Sequence, residues 1–501
     1  MSILNNIIEL GFTYRLRAIE NIRKNPIETQ NKVFKKLMNS LSLTVYGNER
    51  NVKNNFTYSD FRKHIPIVTY EDIEPYIKKM RMGESNILWD KPVNWFAKSS
   101  GTTNNKSKYI PVTNQGLQKC HFMGGRDLIA LTASLYPETN LFKGKALTLG
   151  GSHNIEQLSH GDIRCGDLSA VMINNTPSFY SLIRLPKKET ALISDFNLKI
   201  ESICEQCIDQ NITTIAGVPS WNLVMLNKIL EYTGKKDISE IWPNLEMFYH
   251  GGVAFTPYRE EYKRIITSPN MKYTETYNAS EGFFAIQDDP KDKSMLLMLD
   301  YGVFYEFIPV DTLENYDSAI PLEEVKKDVN YAMVISTING LWRYLIGDTV
   351  KFTSTDPYKI IITGRTKLFM NAFGEEIIID NAENAIDKAC EVSNSSVFEY
   401  TSAPIFMHDK VKGRHQWVVE FRKEPEDINL FIDTLDDTLK KLNSDYEAKR
   451  TDDTTLLRPQ VNVVPEGTFM KWLESKGKTG GQNKIPRLSN SRDYVEELLK
   501  L

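Results

Sequence analysis

The 501-residue chain is poor in cysteine. Its five, Cys120, Cys165, Cys204, Cys207 and Cys390, are too few and too irregularly spaced for a disulfide framework at this length, which favours a reducing compartment and a cytoplasmic protein. Nowhere does the chain reach the roughly 18 uncharged apolar residues that a membrane span needs. An excess of one charge is also lacking. Lys plus Arg number 61 and Asp plus Glu 65, a net charge of −4, so there is no global pull toward nucleic acid or an anionic membrane, and any phosphate binding must be local. Internal repeats are missing, and the nearest thing to low complexity is Gly477-Lys478-Thr479-Gly480-Gly481, which reads as a mobile loop.

Several chemical signatures are absent too. Gly217-Val218-Pro219-Ser220 has the wrong spacing for a G-x-S-x-G nucleophile elbow, and no H-E-x-x-H occurs, which argues against a serine hydrolase or zinc protease. Cys204 and Cys207 have no second cysteine pair and no nearby histidine; with Ile200, Ile203 and Ile208 they read as one apolar helix face, not a zinc site. The seven histidines are scattered, and His121 and His250, near candidate pocket segments, read as structural. The first 26 residues are interrupted by Asn and Glu and lack a small-residue cleavage site, so they predict an amphipathic helix rather than a secretion signal.

What is present is an ordinary globular composition, 41% hydrophobic and 11% aromatic, long enough for two or more domains at roughly 150 residues each. Residues 1 to about 90 read as helical, with a turn at Tyr46-Gly47-Asn48. From about 91 to 365, short apolar runs such as Ala146–Leu149, Ile212–Ala216 and Met333–Thr337 alternate with helical patterns, which predicts an α/β domain whose sheets are covered by helices. Residues 368–501 read as a separate small α+β domain, with strand candidates Ile377–Ile379 and Gln416–Arg422 and helices Ala382–Cys390 and Ile428–Asn443.

Four segments carry chemistry. Ser99-Ser100-Gly101-Thr102-Thr103 with Lys106 and Lys108 combines small hydroxyl residues, whose backbone approaches a polyphosphate closely, with positive charge; it is not a Walker loop, because the second Gly and the Lys-Ser/Thr pair are missing. Tyr249-His250-Gly251-Gly252 follows an apolar run and exposes backbone suited to a flat base or a carboxyl group. Tyr277-Asn278-Ala279-Ser280-Glu281 reads as a loop with one acid, suited to an oxygen-ligated Mg2+ beside phosphates. In Arg343-Tyr344-Leu345-Ile346-Gly347-Asp348 a carboxylate is placed to accept two ribose hydroxyls.

In that order and spacing these segments resemble the adenylate-forming enzyme superfamily, and more closely the auxin-responsive Gretchen Hagen family of acyl acid amido synthetases, from about residue 90 to the C-terminus. Ser99–Thr103 with Lys108 and Pro111 resembles that family's phosphate loop, Tyr277–Glu281 its Tyr-x-x-Ser-Glu motif and Arg343–Asp348 its Tyr-Arg-x-x-x-Gly-Asp motif. Gly364-Arg365-Thr366-Lys367 is similar to the interdomain hinge, and Gly481–Arg487 to the loop that delivers a catalytic lysine, Lys484. Asn104 and Asn105 depart from the wider superfamily, where glycine is frequent, and Trp342 stands where Tyr is more usual.

The resemblance implies a large N-terminal domain (1–364), a hinge (365–367) and a mobile C-terminal domain (368–501), working as a ligase that uses ATP and Mg2+ to join a small carboxylic acid to an amino acid. Lys484, Lys108 and Glu281 are the expected catalytic residues, with Glu281 also the metal ligand. Ser99, Ser100, Gly101, Thr102, Thr103, Gly251, Gly252, Tyr277, Ser280, Arg343, Asp348, Arg365 and Lys367 are expected on ATP. Phe122, Val218 and Trp221 are expected on the acid, by analogy to the family's acyl-binding helix. No nucleic acid, membrane or obligate protein partner is expected. An acyl-CoA ligase and a catalytically silent nucleotide-binding regulator stay open as alternatives.

Overall fold

The computed structural model describes residues 2–99, 108–150, 156–157, 162–177, 180, 182–193, 195–366, 369–408, 411–453, 455–475 and 486–501. Helices dominate to residue 81. Pro26–Leu41 starts on a proline that pre-sets the first turn and buries Val33, Phe34, Leu37, Met38 and Leu41 as one stripe. Tyr70–Arg81 starts on a Thr69–Asp72 capping box, and the Tyr70 hydroxyl accepts the Tyr109 N–H at 2.9 Å, which ties this helix to the strand that carries Lys108. Tyr46-Gly47-Asn48, expected as a turn, lies inside the short helix Val45–Glu49, which Thr44 caps.

Strands follow in chain order: β1 (Trp95–Ser99), β2 (Lys108–Val112), β3 (Lys145–Thr148), β4 (Glu156–Gln157), β5 (Arg164–Gly166), β6 (Arg184–Leu185) and β7 (Ile212–Gly217). Next come β8 (Met247–His250), β9 (Lys272–Ala279), β10 (Gly282–Ile286), β11 (Met295–Leu297), β12 (Val303–Pro309), β13 (Ile320–Pro321) and β14 (Asn330–Thr337). The last are β15 (Tyr344–Thr355), β16 (Tyr358–Arg365), β17 (Phe369–Met370), β18 (Ile377–Ile378), β19 (Ser396–Ile405), β20 (Arg414–Lys423) and β21 (Gln460–Val464).

Among the described residues the largest sheet has twelve strands in the order β13-β12-β14-β15-β16-β11-β10-β9-β8-β7-β3-β6. Its two halves differ. From β13 to β9 every pairing is antiparallel, whereas β9, β8, β7, β3 and β6 are mutually parallel, so β9 is the strand where the sheet changes character. A crevice beyond the carboxyl ends of parallel strands at such a switch is a recurrent ligand site of α/β folds. The short sheet β2-β1-β5-β4 lies apart, and its Ser99↔Lys108 pair sets the two ends of the Ser/Thr segment beside each other.

One core packs the N-terminal helices onto the antiparallel half, with Leu37, Phe61, Trp89 and Trp342 fully buried. A second joins the parallel half and its helices Phe196–Cys207 and Pro219–Thr233 to the C-terminal unit, running from Leu147 and Phe248 to Phe373, Trp417 and Leu439. Cys204 and Cys207 belong to that second core, as the helix-face reading expects. The C-terminal unit carries the sheet β19-β20-β21, and helices Ile379–Val392 and Ile428–Leu442 pack on each other. The architecture is mixed α/β with a large N-terminal part and a small C-terminal one. No helix among the described residues is long and apolar enough to cross a membrane.

Candidate active site

β9 positions the site. A cleft of about 470 Å³ opens beyond its carboxyl end and is lined by Gly252 after β8, by residues 275–281, by Ile346 and Asp348 of β15, and by Gly364 and Arg365 of β16. Lys108 at the start of β2 closes one side, and Asn371, Glu376, Phe406 and Asn490 of the C-terminal unit close another.

The motif Tyr277–Glu281, expected as a loop, is instead the end of β9 followed by a two-residue turn, Ser280-Glu281, into β10. Strand alternation then puts Tyr277 and Glu275 on one face. The Tyr277 hydroxyl donates to Asp348 Oδ2 at 2.6 Å, and Arg365 Nε donates to Asp348 Oδ1 at 3.0 Å. Arg365 also reaches Glu376 Oε2 at 3.4 Å through Nη1. Burial pushes the Asp348 carboxyl above its ordinary range, and the Arg365 guanidinium and Tyr277 hydroxyl pull it back. This chain of phenol, carboxylate, guanidinium and carboxylate fixes Asp348 while leaving it partly open to the cleft.

Lys108 and Glu281 line the same cleft, close enough to Arg365 for their charges to interact. Burial raises the Glu281 carboxyl to about 7 against the pull of Lys108, and burial lowers the Lys108 ammonium against the opposite pull of Glu281. The Glu281 carboxylate, in a residue only 8% exposed, takes a hydrogen bond from its own backbone N–H, and no other described residue hydrogen-bonds or ion-pairs with it. A buried carboxylate with open valences facing a cleft fits a cation. Among the described residues no group of three or more His, Cys, Asp and Glu could hold a metal; one carboxylate is a donor compatible with an ion such as Mg2+ whose other ligands would be water and substrate phosphates.

The structure thus brings Lys108, Gly252, Tyr277, Ser280, Glu281, Asp348 and Arg365 to one cleft. Gly251 is not on its wall; a Cβ there would meet the Thr276 carbonyl oxygen at 2.4 Å, so this glycine lets β8 run close to β9. Arg343 is not brought to this cleft. Its guanidinium is buried away from the cleft, donating to Glu306 at 2.9–3.1 Å and to the Ile65 carbonyl at 2.8 Å, because the left-handed backbone at Arg343 (φ 44°) turns the side chain under the helix Tyr58–His64. Trp221 and Phe122 are not brought to the cleft either: Trp221 is buried in the second core with the Lys449 ammonium 4.9 Å from its ring, and Phe122 packs on the first core. Val218 does not line the cleft, but its Cγ2 lies 3.4 Å from the Cβ position of Gly252, which does.

Ser100, Gly101, Thr102, Thr103, Lys367 and Lys484 fall outside the described residues, and Ser99 is described only as backbone at the end of β1. His121 and His250 are buried, with burial lowering them to about 4 and about 3. Sequence reading missed Glu275, Asn371, Glu376, Phe406 and Asn490. Glu275 was open to discovery by strand period once Tyr277 stood on a strand, but nothing in the local sequence marks the others.

A fold of this kind defines a class. It is shared with the GH3.15 acyl acid amido synthetase (TM-score 0.60, 18% identical, 97% of this chain and 95% of that one). A 2-hydroxyisobutyryl-CoA ligase shares the fold too (TM-score 0.56, 11% identical, 94% and 92%). Family models for the GH3 N-terminal, central and C-terminal domains match residues 15–271, 296–365 and 380–493. The chain belongs to the GH3 family. Among its relatives are the indole-3-acetic acid-amido synthetase GH3.4 of Arabidopsis thaliana (23% identical over 94% of this chain and 91% of that protein) and the 4-substituted benzoates-glutamate ligase GH3.12 of the same plant (22%, 98% and 98%).

Proposed function

We propose that the chain is an ATP-dependent acyl acid amido synthetase that activates a small carboxylic acid as its acyl adenylate and passes the acyl group to the amine of an amino acid. The observation that carries the reading is the convergence, at the switch strand β9 of a GH3 chain, of Tyr277–Asp348–Arg365 and Lys108–Glu281 on one cleft. Several parts are finer proposals: Mg2+ as the ion, an amino acid as acceptor, a cytoplasmic setting in keeping with five free cysteines, and the roles of individual residues.

A carboxylate is a poor electrophile because its leaving group would be oxide. Attack of a carboxylate oxygen on the α-phosphorus of ATP forms the acyl–phosphate bond and expels pyrophosphate. Attack of an amine nitrogen on the carbonyl carbon then forms the amide, the carbonyl–oxygen bond to AMP breaks, and the amine proton is lost. Asp348, oriented by Arg365 and Tyr277, accepts the ribose hydroxyls, and the aromatic face of Tyr277 with Gly252 frames the base. Glu281 holds Mg2+, which when bound supplies charge neutralisation at the phosphates. Lys108 and the segment Ser99–Thr103 hold the polyphosphate, and Lys484, carried by a domain that moves about 365–367, brings a further cation to the α-phosphate. The acid lies along Val218, which neighbours Gly252 of the cleft wall.

The test is ATP–pyrophosphate exchange across a library of carboxylic acids, with each active acid then offered amino acids or CoA. Exchange with at least one acid, followed by amide formation, is expected. Binding of ATP without exchange for any acid would leave a silent nucleotide-binding protein, and product formation only with CoA would make it an acyl-CoA ligase.

A further inference from the structure

The C-terminal unit reaches the cleft through the loop 371–376, which is built at a cost no surface turn requires. Glu375 is fully buried, and its carboxylate accepts the Ala372 and Phe373 backbone N–H groups at 3.1 and 2.6 Å. Its third partner is His415 Nε2 on β20, 2.9 Å from Oε1, also buried and stacked on Tyr446 at 5.4 Å between centroids. Gly413 leaves room for the Phe373 ring, which a Cβ there would meet at 2.2 Å. The next residue, Glu376, takes a left-handed backbone (φ 40°) that non-glycine residues avoid unless their surroundings impose it, a kind of strain found where a site needs it.

What that loop presents is specific. Glu376 faces Arg365 across the junction between the two parts of the chain. The Asn371 amide donates to the Gly252 carbonyl at 3.3 Å, its side-chain oxygen accepts the Glu376 N–H at 3.4 Å, and its own N–H donates to Asn490 at 2.7 Å. Asn443 holds the Glu376 carbonyl at 3.1 Å, and Ser220 holds that of Phe373 at 3.2 Å. An internal pair thus sets the conformation, and the two outward residues meet the groups that orient Asp348 and border the base.

We propose that Glu375 and His415 are positioning residues of this ligase, a buried carboxylate–imidazole pair that holds Glu376 on Arg365 and Asn371 on Gly252 and so builds the C-terminal wall of the nucleotide cleft. The proposal rests on the nucleotide reading of that cleft. Neither residue touches substrate; both act through the loop.

Calorimetric titration with MgATP, on the full chain and well below each variant's unfolding midpoint, tests it. His415→Phe keeps the stack but removes the donor, and about tenfold weaker MgATP binding is expected; His415→Gln keeps an N–H donor and is expected to restore most of the affinity. Glu376→Gln is expected to lose affinity by a similar factor, and the double variant no more than the worse single one, since both losses pass through Arg365. Should His415→Phe fail to fold, Glu375→Gln, which loses charge but little volume, carries the same expectation. A parent that binds no MgATP would overturn the nucleotide reading, and the proposal with it. A parent that binds, beside a folded His415→Phe or Glu375→Gln that binds equally well, would overturn the positioning role alone, as would additive losses or a His415→Gln as weak as His415→Phe.

Discussion

Two arginines in the central part of the chain teach how a site differs from a scaffold. Arg343 and Arg365 both lie in glycine-containing motifs at the ends of neighbouring strands, and both pair with carboxylates. Around Arg343 the protein fills the valences: Glu306 takes the guanidinium through Nε and Nη2, Ile65 takes Nη1, and Tyr58 donates to the same carboxylate at 2.9 Å, with the two charged side chains 5% and 1% exposed. Around Arg365 the pair with Asp348 keeps 18% of each side chain in the open, and both line the cleft. A buried charge with every valence met is architecture. One left partly open, beside a carboxylate that burial has pushed up, is available for a ligand.

That contrast breaks first at Arg343. Removing one partner of a buried ion pair costs about 3–5 kcal/mol because the other is left uncompensated. Arg343→Ala is therefore expected to lower the urea midpoint sharply, and a double Arg343→Met, Glu306→Leu variant to recover much of the loss; Arg365→Ala is expected to cost less, because Asp348 keeps the Tyr277 hydroxyl and access to the cleft. Equal stability losses for Arg343→Ala and Arg365→Ala would erase the distinction.

Lys484→Ala comes next. Loss of one transition-state donor costs on the order of 2.7–4 kcal/mol, so adenylation is expected to fall about a hundred- to a thousandfold while amide formation from preformed acyl adenylate is spared. Equal damage to both steps in a stopped-flow comparison would refute an adenylation-specific lysine.

The third concerns Glu281. Its carboxyl in the fold titrates at about 7, above the ordinary 4.5, so the folded chain holds this proton where the unfolded chain has released it. The stabilisation is complete below about pH 4.5 and is lost as pH rises through about 7, up to roughly 3 kcal/mol in all. Glu281→Gln, always neutral, is expected to match the parent near pH 4.5 and to exceed it in unfolding free energy at pH 8 without Mg2+, while losing most pyrophosphate exchange. A pH-independent gap between the two stability curves would contradict this.

Much of the frame was legible in residue order. Helical spacing marked the helices observed at Ile379–Val392 and Ile428–Leu442, apolar runs marked β3, β7, β8 and β14, and the cleft residues Tyr277, Glu281 and Asp348 came from short motifs. Those motifs are legible because a ligand's geometry is written in contiguous residues. Arg343 misled because its neighbours in the motif do face the cleft, while its own direction is decided by one left-handed backbone angle and by Glu306, 37 positions away. The Glu375–His415 pair was invisible for the same reason, since its members stand 40 residues apart and meet only when β20 packs under the loop. Tyr277–Glu281 was read as a loop because small polar residues favour turns, and the sheet overrode that preference by pairing Asn278 with Phe283.

The central claim is that the cleft at the carboxyl end of β9 is where ATP binds, with Asp348 as its ribose partner. Calorimetric titration of MgATP into the parent and into Asp348→Ala tests this most directly. A charge-assisted hydrogen-bonding partner contributes about 1.5–3 kcal/mol, so the variant is expected to bind about ten- to a hundredfold more weakly while its unfolding midpoint falls little. Unaltered ATP affinity in a folded Asp348→Ala would contradict it.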